Sequence, residues 1–572
     1  MADTGAAHSS LASRIAALVH TYYNGLPNGS KPVVNDDGTG QWIPMSAIVL
    51  VKGEGTPSES VTCIAVTSGA KCLPATKVGT CEGLVLHDCH AEVLAMRAFN
   101  RWLIAECYAF IGREEIHRRP CDEKLSPYVW RRPILTRDSP VLPPFEIRPD
   151  VGIYMYCTCA PCGDASMELV MAEQDDPTPW VPPAATATTT TTTAASASTS
   201  SRPGEQALLD GRAHFSNLGI VRRKPARRDA EATRSKSCSD KLALRQVTSL
   251  LNYGASLLVA VTANAYLKGL VLPEEEISRT GVARCFGAEG RMKDLVGRTW
   301  PITETNADTP GVQGLPASET QDRHRYEFRP FEVLSIPDSQ LRALWKFRKP
   351  KASDPGQTAA QLKKSKPGNK TVIWIRAPTI DHESEFGYPS LVSRLQTLRG
   401  SKTGVFENII GGVRQGHKSS DPGLAGASAL SRWPLWLHWR NTMSVTQLLL
   451  GEHEVRDGDG MASNVLGATG ALPAFLEEKY CGFKKPDGYK KSGCIKARRD
   501  AVQAAKEVLG GWVPNVKDDN WPQQEWEDED FGNDEDPGTS PDTESSQGSF
   551  DSRDSRDSRD GPGASKRRRL DV

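Results

Sequence analysis

The stretch from His90 to Cys107 is apolar on most sides of a helix, through Val93, Leu94, Met96, Phe99, Trp102 and Leu103, and so reads as a buried helix. Segments on either side of it read as strands: Trp42 to Val51 and Val61 to Val66, joined across Gly53-Glu54-Gly55, and later Gly152 to Tyr156. A polar cluster, Leu86-His87-Asp88-Cys89-His90, runs straight into the helix. Asp88 reads as its N-cap, which puts His90 and Glu92 in the first turn, where free N–H groups and the positive end of the dipole face outward. An imidazole there can hold a zinc ion, and a carboxylate two residues on can reach a water bound to that metal. His-x-Glu alone is a weak signal, because so short a spacing recurs by chance.

Partners follow downstream. After the strand Gly152 to Tyr156 comes Cys157-Thr158-Cys159-Ala160-Pro161-Cys162-Gly163-Asp164-Ala165-Ser166, then a helical run from Met167 to Ala172. Pro161 suits a first helical position, so Cys162 is expected in a first turn, where the dipole favours the thiolate that binds metal. Zinc deaminases of nucleobases carry H-x-E followed by P-C-x-x-C, with the Glu as proton shuttle. Here Ala165 stands where the second Cys of that motif would fall. A catalytic zinc needs three protein ligands and an open position, so the third must lie elsewhere. Cys157 and Cys159 lie toward the strand. The better candidate is Cys238 in Ser237-Cys238-Ser239-Asp240-Lys241, where Ser237 and Asp240 have the form of a capping box ahead of another helical run. His90, Cys162 and Cys238 are therefore the expected ligands, and Glu92 the expected catalytic acid–base, which replacement should disable without releasing zinc.

His-Ala-Glu, then Pro-Cys-Gly-Asp-Ala-Ser, then Ser-Cys-Ser-Asp-Lys, in that order, resemble the adenosine deaminases acting on RNA and their tRNA-specific relatives, nearest the fungal position-37 type. In the cytidine deaminases, by contrast, both cysteines share one P-C-x-x-C. The resemblance runs from about Ser13 to about Trp512, outside a low-complexity insertion. It implies an α/β fold, a cytidine-deaminase-like α/β/α core with a mixed sheet elaborated by a C-terminal helical half. It also implies zinc-dependent conversion of adenosine to inosine in tRNA, at adenosine 37 beside the anticodon of alanine tRNA. Lys71-Cys72-Leu73-Pro74 resembles the family's G-T-K-C, with Ala70 in place of the Thr. The resemblance further implies inositol hexakisphosphate as a buried cofactor. Lys506 falls in Gln503-Ala504-Ala505-Lys506, Trp512 matches a terminal Trp, Lys241 and Lys496 match inositol-phosphate lysines, and Arg97 matches one of two arginines whose partner here is Met96.

Composition bounds what remains. Among 572 residues, 38% hydrophobic content supports a sizeable core, and 70 basic residues balance 70 acidic ones, so only local clusters can argue for RNA. Thirteen Cys with no secretory leader suggest reduced thiols, and no run reaches a membrane span, so the expectation is an intracellular protein, cytoplasmic or nuclear, with no membrane and no protein partner evident. Ser10 to Asn24 is amphipathic and reads as a first helix, and Tyr253 to Leu272 as a helix and strand flanking the core. The editase domain is expected over 1–512, with a disordered insertion at about 175–235 and a flexible loop at about 305–325. The basic run Arg222-Arg223-Lys224-Pro225-Ala226-Arg227-Arg228, just before Ser237-Cys238, reads equally as solvated linker or phosphate contact beside the active site. Arg342 to Arg376 is rich in Lys and Arg, part loop face and part candidate contact for tRNA phosphates. Lys490, Lys491, Lys496, Arg498, Arg499 and Lys506 crowd one helix ending at Gly510-Gly511-Trp512, a density that favours a polyanion partner. Residues 513–572 read as a disordered acidic tail ending in the basic cluster Lys566 to Arg569, a candidate import signal. Two other readings stay open. An adenosine deaminase for duplex RNA would want duplex-binding domains, for which Met1 to Gln41 leaves no room. A non-catalytic zinc-containing RNA-binding protein would have no need of Glu92.

Overall fold

A computed structural model describes residues 10–35, 40–117, 125–132, 143–173, 209–210, 217–224, 231–302, 324–351, 354, 358–379, 404–452, 493–512 and 518. Its centre is one mixed eight-stranded sheet. Four central strands are β1 (Met45–Lys52), β2 (Ser60–Ser68), β3 (Val151–Cys157) and β4 (Leu267–Pro273). β5 (Glu332–Ile336), β6 (Thr371–Arg376), β7 (Gly404–Ile410) and β8 (Val413–Arg414) complete it. The spatial order is β5-β4-β3-β1-β2-β6-β7-β8. β1 runs antiparallel to both β2 and β3, whereas β3, β4 and β5 run parallel.

The central strands are apolar on both faces because each face is covered. Along β1, Ile48 and Leu50 join one core, while Ala47, Val49 and Val51 join another. β3 repeats the alternation, with Ile153, Met155 and Cys157 on the first side and Tyr154 and Tyr156 on the second. Helix α1 (Leu11–Asn24) covers the second face through Ile15, Ala16, Val19 and Tyr23, with Trp345 edge-on to Tyr23. Helix α2 (Ala91–His117) covers the first. It runs ten residues past the expected end at Cys107, because Tyr108, Phe110 and Ile111 remain buried. The result is the α/β/α layering expected.

Helix α3 (Cys238–Thr248) packs beside α2, and two later helices, α4 (Arg432–Glu452) and α5 (Gly493–Leu509), close the assembly against α2 and α3 respectively. α5 is amphipathic, not uniformly basic. Ala497, Ala501, Ala504, Ala505 and Leu509 are buried, and Arg498 is buried with them.

Two expected boundaries move. The insertion was expected to reach about residue 235, yet 217–224 and 231–235 are packed in place: Arg222 is fully buried, and Thr233 donates to the Lys224 carbonyl at 2.8 Å. The tail was expected to begin at 513, yet Asp518 is 2% exposed and accepts from the Gly83 amide at 3.0 Å. The remaining insertion residues below 209, the 305–323 loop, Lys490 and Lys491, and Lys566 to Arg569 lie outside the described residues. Among the described residues, no helix is long and apolar enough to cross a membrane.

Trp102, 1% exposed and edge-on to Tyr128, anchors α2 in the first core. Trp102→Ala is expected to lower unfolding free energy by about 3–5 kcal/mol. Val33→Ala, at a side chain 66% exposed, should stay within about 0.5 kcal/mol. Urea unfolding of both variants checks the contrast.

Candidate active site

His90 lies where β2 hands the chain toward α2. The Leu94 amide donates to the His90 carbonyl at 3.0 Å, so His90 itself occupies the N-cap position and Glu92 the second helical one. Asp88 does not cap the helix as expected. It accepts from the His90 amide at 3.0 Å and otherwise faces two lysines.

Cys162 also departs from expectation in its setting. Pro161 and Cys162 stand ahead of a 3₁₀ turn, Asp164–Ser166, and the helix begins only at Met167. Gly163 at φ 109° makes the bend that separates them. Cys238 is the first residue of α3, and Ser237 caps it as expected, accepting from the Asp240 amide at 3.1 Å.

The three ligand atoms nevertheless converge, all within 4.8 Å of one another. His90 Nδ1 is 3.8 Å from Cys162 Sγ and 3.7 Å from Cys238 Sγ. Tetrahedral bonds of about 2.0 Å to nitrogen and 2.3 Å to sulfur would set that edge at about 3.5 Å, so the donor set fits zinc closely. Cys157 is occupied elsewhere, against Ser46 Oγ at 3.0 Å. A second convergent group, Cys72, Asp88 and His90, has its carboxylate already matched by lysines.

The electrostatics support a bound cation. The hydrogen bond from Cys238, with Lys224 and His90 nearby, holds the Cys162 thiol well below its usual range despite burial. Burial and Lys224 push His90 down, but the Cys162 and Cys72 thiolates, with the hydrogen bond to Cys162, together lift it to about 10. Burial raises the Glu92 carboxyl, and the Cys162 thiolate raises it further. Glu92 is 3% exposed, and its Oε2 has no hydrogen-bond partner among the described residues. A buried carboxyl oxygen left open beside a metal-ligand set is available to a substrate or water.

Lys224 is the site residue that sequence reasoning missed. Its buried ammonium lies 2.9 Å from Asp88 Oδ2 and 3.3 Å from Cys238 Sγ. Lys241 reaches the same Asp88 carboxylate, and Ser235 Oγ at 2.8 Å. The Arg222 amide donates to Asp240 Oδ2 at 3.0 Å. The basic run is thus neither free linker nor phosphate contact at Arg222 and Lys224, but an internal brace. A short run of arginines and a lysine carries no sign of that burial.

A second cluster of cations lies at the α3–α5 contact. Lys236 and Lys506 both stand over the Trp512 ring, at 5.6 and 5.9 Å. Burial, then Lys241, Lys506 and Arg234, lowers Lys236 to about 7. Burial, then Arg498, lowers Arg245 to about 9, with Arg97 acting in the same sense. Arg97 donates to the Leu430 carbonyl at 2.8 Å. Of the residues expected to meet a polyanion, Arg97, Lys241, Lys506 and Trp512 border this cluster, while Lys496 is exposed on α5. Lys236 and Arg245 had no signal in the sequence, whereas Arg498 belongs to the basic helix expected to meet a polyanion.

Comparison with known proteins agrees with this geometry. Residues 65–299 match the adenosine-deaminase (editase) domain. The chain is 32% identical over 335 residues to tRNA-specific adenosine deaminase 1 of Schizosaccharomyces pombe, covering 58% of this chain and 70% of that one. It is 25% identical over 252 residues to the Saccharomyces cerevisiae protein of the same name, covering 42% and 54%. A double-stranded RNA-specific editase B2 of Mus musculus matches over 121 residues at 30% identity, covering 21% and 14%. The chain belongs to the adenosine-deaminase editase family.

Gly163 ties two ligand-bearing segments: a Cβ there would lie 2.2 Å from Ser237 Oγ, at a φ that side chains avoid. Gly163→Ala is therefore expected to cost at least about 1–3 kcal/mol, read as a lower urea midpoint. An unchanged midpoint would show that the bend relaxes freely.

Proposed function

We propose that this chain converts adenosine to inosine in tRNA by zinc-dependent hydrolysis, with adenosine 37 beside the anticodon of alanine tRNA as target. The observation that carries the reading is the open, buried Glu92 carboxyl beside a convergent His-Cys-Cys set. A merely structural zinc site, closed by four protein ligands, would have no use for it. The tRNA-specific names of the fungal relatives support the substrate.

His90, Cys162 and Cys238 would hold the ion, which supplies a nucleophile near neutral pH by lowering the pKa of water in an open fourth position. Glu92 moves the protons. Its raised pKa suits it to take one from the attacking water, pass it to the ring nitrogen beside C6, and protonate the departing amine. The water oxygen ends on C6 and the amino nitrogen leaves as ammonia. Lys224 holds Asp88 and Cys238 in place through this cycle. The target base must be unstacked to reach Glu92, which costs less in an anticodon loop than in a duplex.

Inositol hexakisphosphate fits the second cluster. Burial and neighbouring cations lower Lys236 to about 7 and Arg245 to about 9, a cost that a bound anion would offset, and Lys236, Lys241, Arg245, Arg498 and Lys506, with Arg97, would hold it. Acid extraction of the purified chain should release an inositol phosphate in about equimolar amount; none from a folded, active preparation would remove the cofactor from this reading.

The decisive experiment measures inosine in purified alanine tRNA, with zinc content determined on the same protein. Glu92→Gln should lower kcat about 10²–10⁴-fold while zinc stays bound. Removing zinc with a chelator should abolish inosine formation by the wild type. Undiminished activity in Glu92→Gln, or no inosine from the zinc-loaded wild type, would overturn the proposal.

A further inference from the structure

Apart from the catalytic site, the described surface carries a small cleft of about 150 Å³. It opens where Gln41 and Trp42 pair in parallel with Lys366 and Pro367. Val34, Trp42, Lys346, Arg348, Asp354 and Ser365 line it. Trp42 is fixed from both sides by backbone: the Gly368 amide donates to its carbonyl at 2.8 Å, and the next residue, Ile43, donates to the Phe347 carbonyl at 3.0 Å.

The cleft is positive and built. Arg348 is oriented by Asp354 at 2.7 Å, and Asp354 is itself pinned by the Lys351 amide at 2.7 Å. Lys31 is anchored on the Asn24 carbonyl at 2.7 Å and lies near enough to Lys346 for the two ammonium groups to repel. Lys366 adjoins the lining residue Ser365, and Lys370 donates to the Gly29 carbonyl. Among the described residues, Lys31, Lys346, Lys366 and Lys370 have no carboxylate partner, while the neighbouring Lys349 and Lys351 do, with Glu173 and Glu276. Among the described residues, Asp354 is the one acidic group in the lining, and it pairs with Arg348.

Its position links it to the catalytic site. Gln41 and Trp42 lead through Pro44 into β1, and Lys366 and Pro367 lead into β6. Met45, the first residue of β1, and Val372, the second of β6, both pair with Ser68, the last residue of β2. Gly69 follows: its amide donates to the Pro44 carbonyl at 3.1 Å, and its carbonyl accepts from the Ala91 amide at 3.0 Å, next to His90. Cleft and zinc ligands share one end of the sheet.

We propose that this cleft holds a nucleotide flanking the target adenosine in single-stranded RNA, its base against Trp42 and its phosphates against Lys31, Lys346 and Lys366. The inference rests on the RNA-deaminase reading above and adds a contact site to it. A cleft this small cannot enclose a free ligand of ordinary size, for which pockets run to about 300–1,000 Å³. It does suit one unit of a polymer whose charge continues outside it. An aromatic platform beside cations is the pairing that single-stranded nucleic acid requires.

The test uses the full chain and measures tRNA affinity across a salt series for Trp42→Ala, Lys346→Glu and Lys346→Glu/Lys366→Glu, with thermal melting as the folding control. Trp42→Ala should weaken tRNA binding about 10-fold. Each charge reversal should weaken it too and flatten the plot of log affinity against log salt by about one unit per lost phosphate contact. The two exposed lysines keep the test valid if Trp42→Ala fails to fold. A wild type that deaminates tRNA, with variants of unchanged affinity and slope, would overturn the cleft alone. A wild type that neither binds nor deaminates tRNA would overturn both readings. Unchanged tRNA affinity with loss of adenosine monophosphate binding would assign the cleft to a free nucleotide instead.

Discussion

The catalytic end of the fold depends on one buried carboxylate. Asp88 is pushed toward neutrality by burial, yet Lys224 and Lys241 hold it ionised, far below the usual carboxylate range. The lysines come from either side of Ser235, and Lys224 also reaches the Cys238 sulfur. Isolated buried charges are costly, so none of these groups is stable alone. Together they offset one another: the Lys224 and Lys241 ammonium groups face the Asp88 carboxylate, and Lys224 also faces the Cys238 sulfur. That balance draws the loop before α2, the end of the insertion and the cap of α3 into one place. It explains why Lys224 and Ser235, within the stretch expected to be disordered, are held in place.

The same end of the sheet is also where backbone approaches closest. Gly69 leaves β2 at φ 149°, and a Cβ there would stand 2.2 Å from the Cys89 carbonyl oxygen. Only a residue without a side chain lets β2 pass so near the strand-to-helix loop that carries His90. The Thr67 hydroxyl then donates to the Ala91 carbonyl at 2.7 Å. The ligands are therefore positioned by sheet backbone, and the apolar run of α2 holds that backbone in register from the other side.

Much of this was legible in the chain itself. An all-apolar helix can only be buried, so α2 and its α/β layering followed from Val93, Phe99 and Trp102. Ligand types at three helix-start signals pointed to His90, Cys162 and Cys238, whose ligand atoms the fold brings within 4.8 Å of one another, because metal chemistry limits which side chains can serve. Local detail was less legible. Asp88 has the form of an N-cap, but its two lysine partners come from more than a hundred residues away, and no local pattern records that contact. Pro161 has the form of a helix start, but Gly163 turns the chain first. Burial of Arg222, Lys224 and Asp518 was invisible for the same reason: charge in a sequence reads as surface unless its partner is known.

A chain with no net charge can still segregate its cations, and this one does so twice. Around Trp512 they are desolvated and crowded, so that Lys236 falls to about 7 and would shed its proton near neutrality without an anion. Around Trp42 they stand at an open cleft, solvated and, among the described residues, unmatched by carboxylates. The difference in burial decides what each can bind. A desolvated set favours a compact anion of fixed charge, taken up as the fold closes. An open set favours a polyelectrolyte that exchanges with salt and leaves after each reaction. Lys241 links the inner set to Asp88, and Asp88 to His90, so an anion bound within would bear on the geometry of the site, while a strand held at the cleft would bear only on what is brought to it.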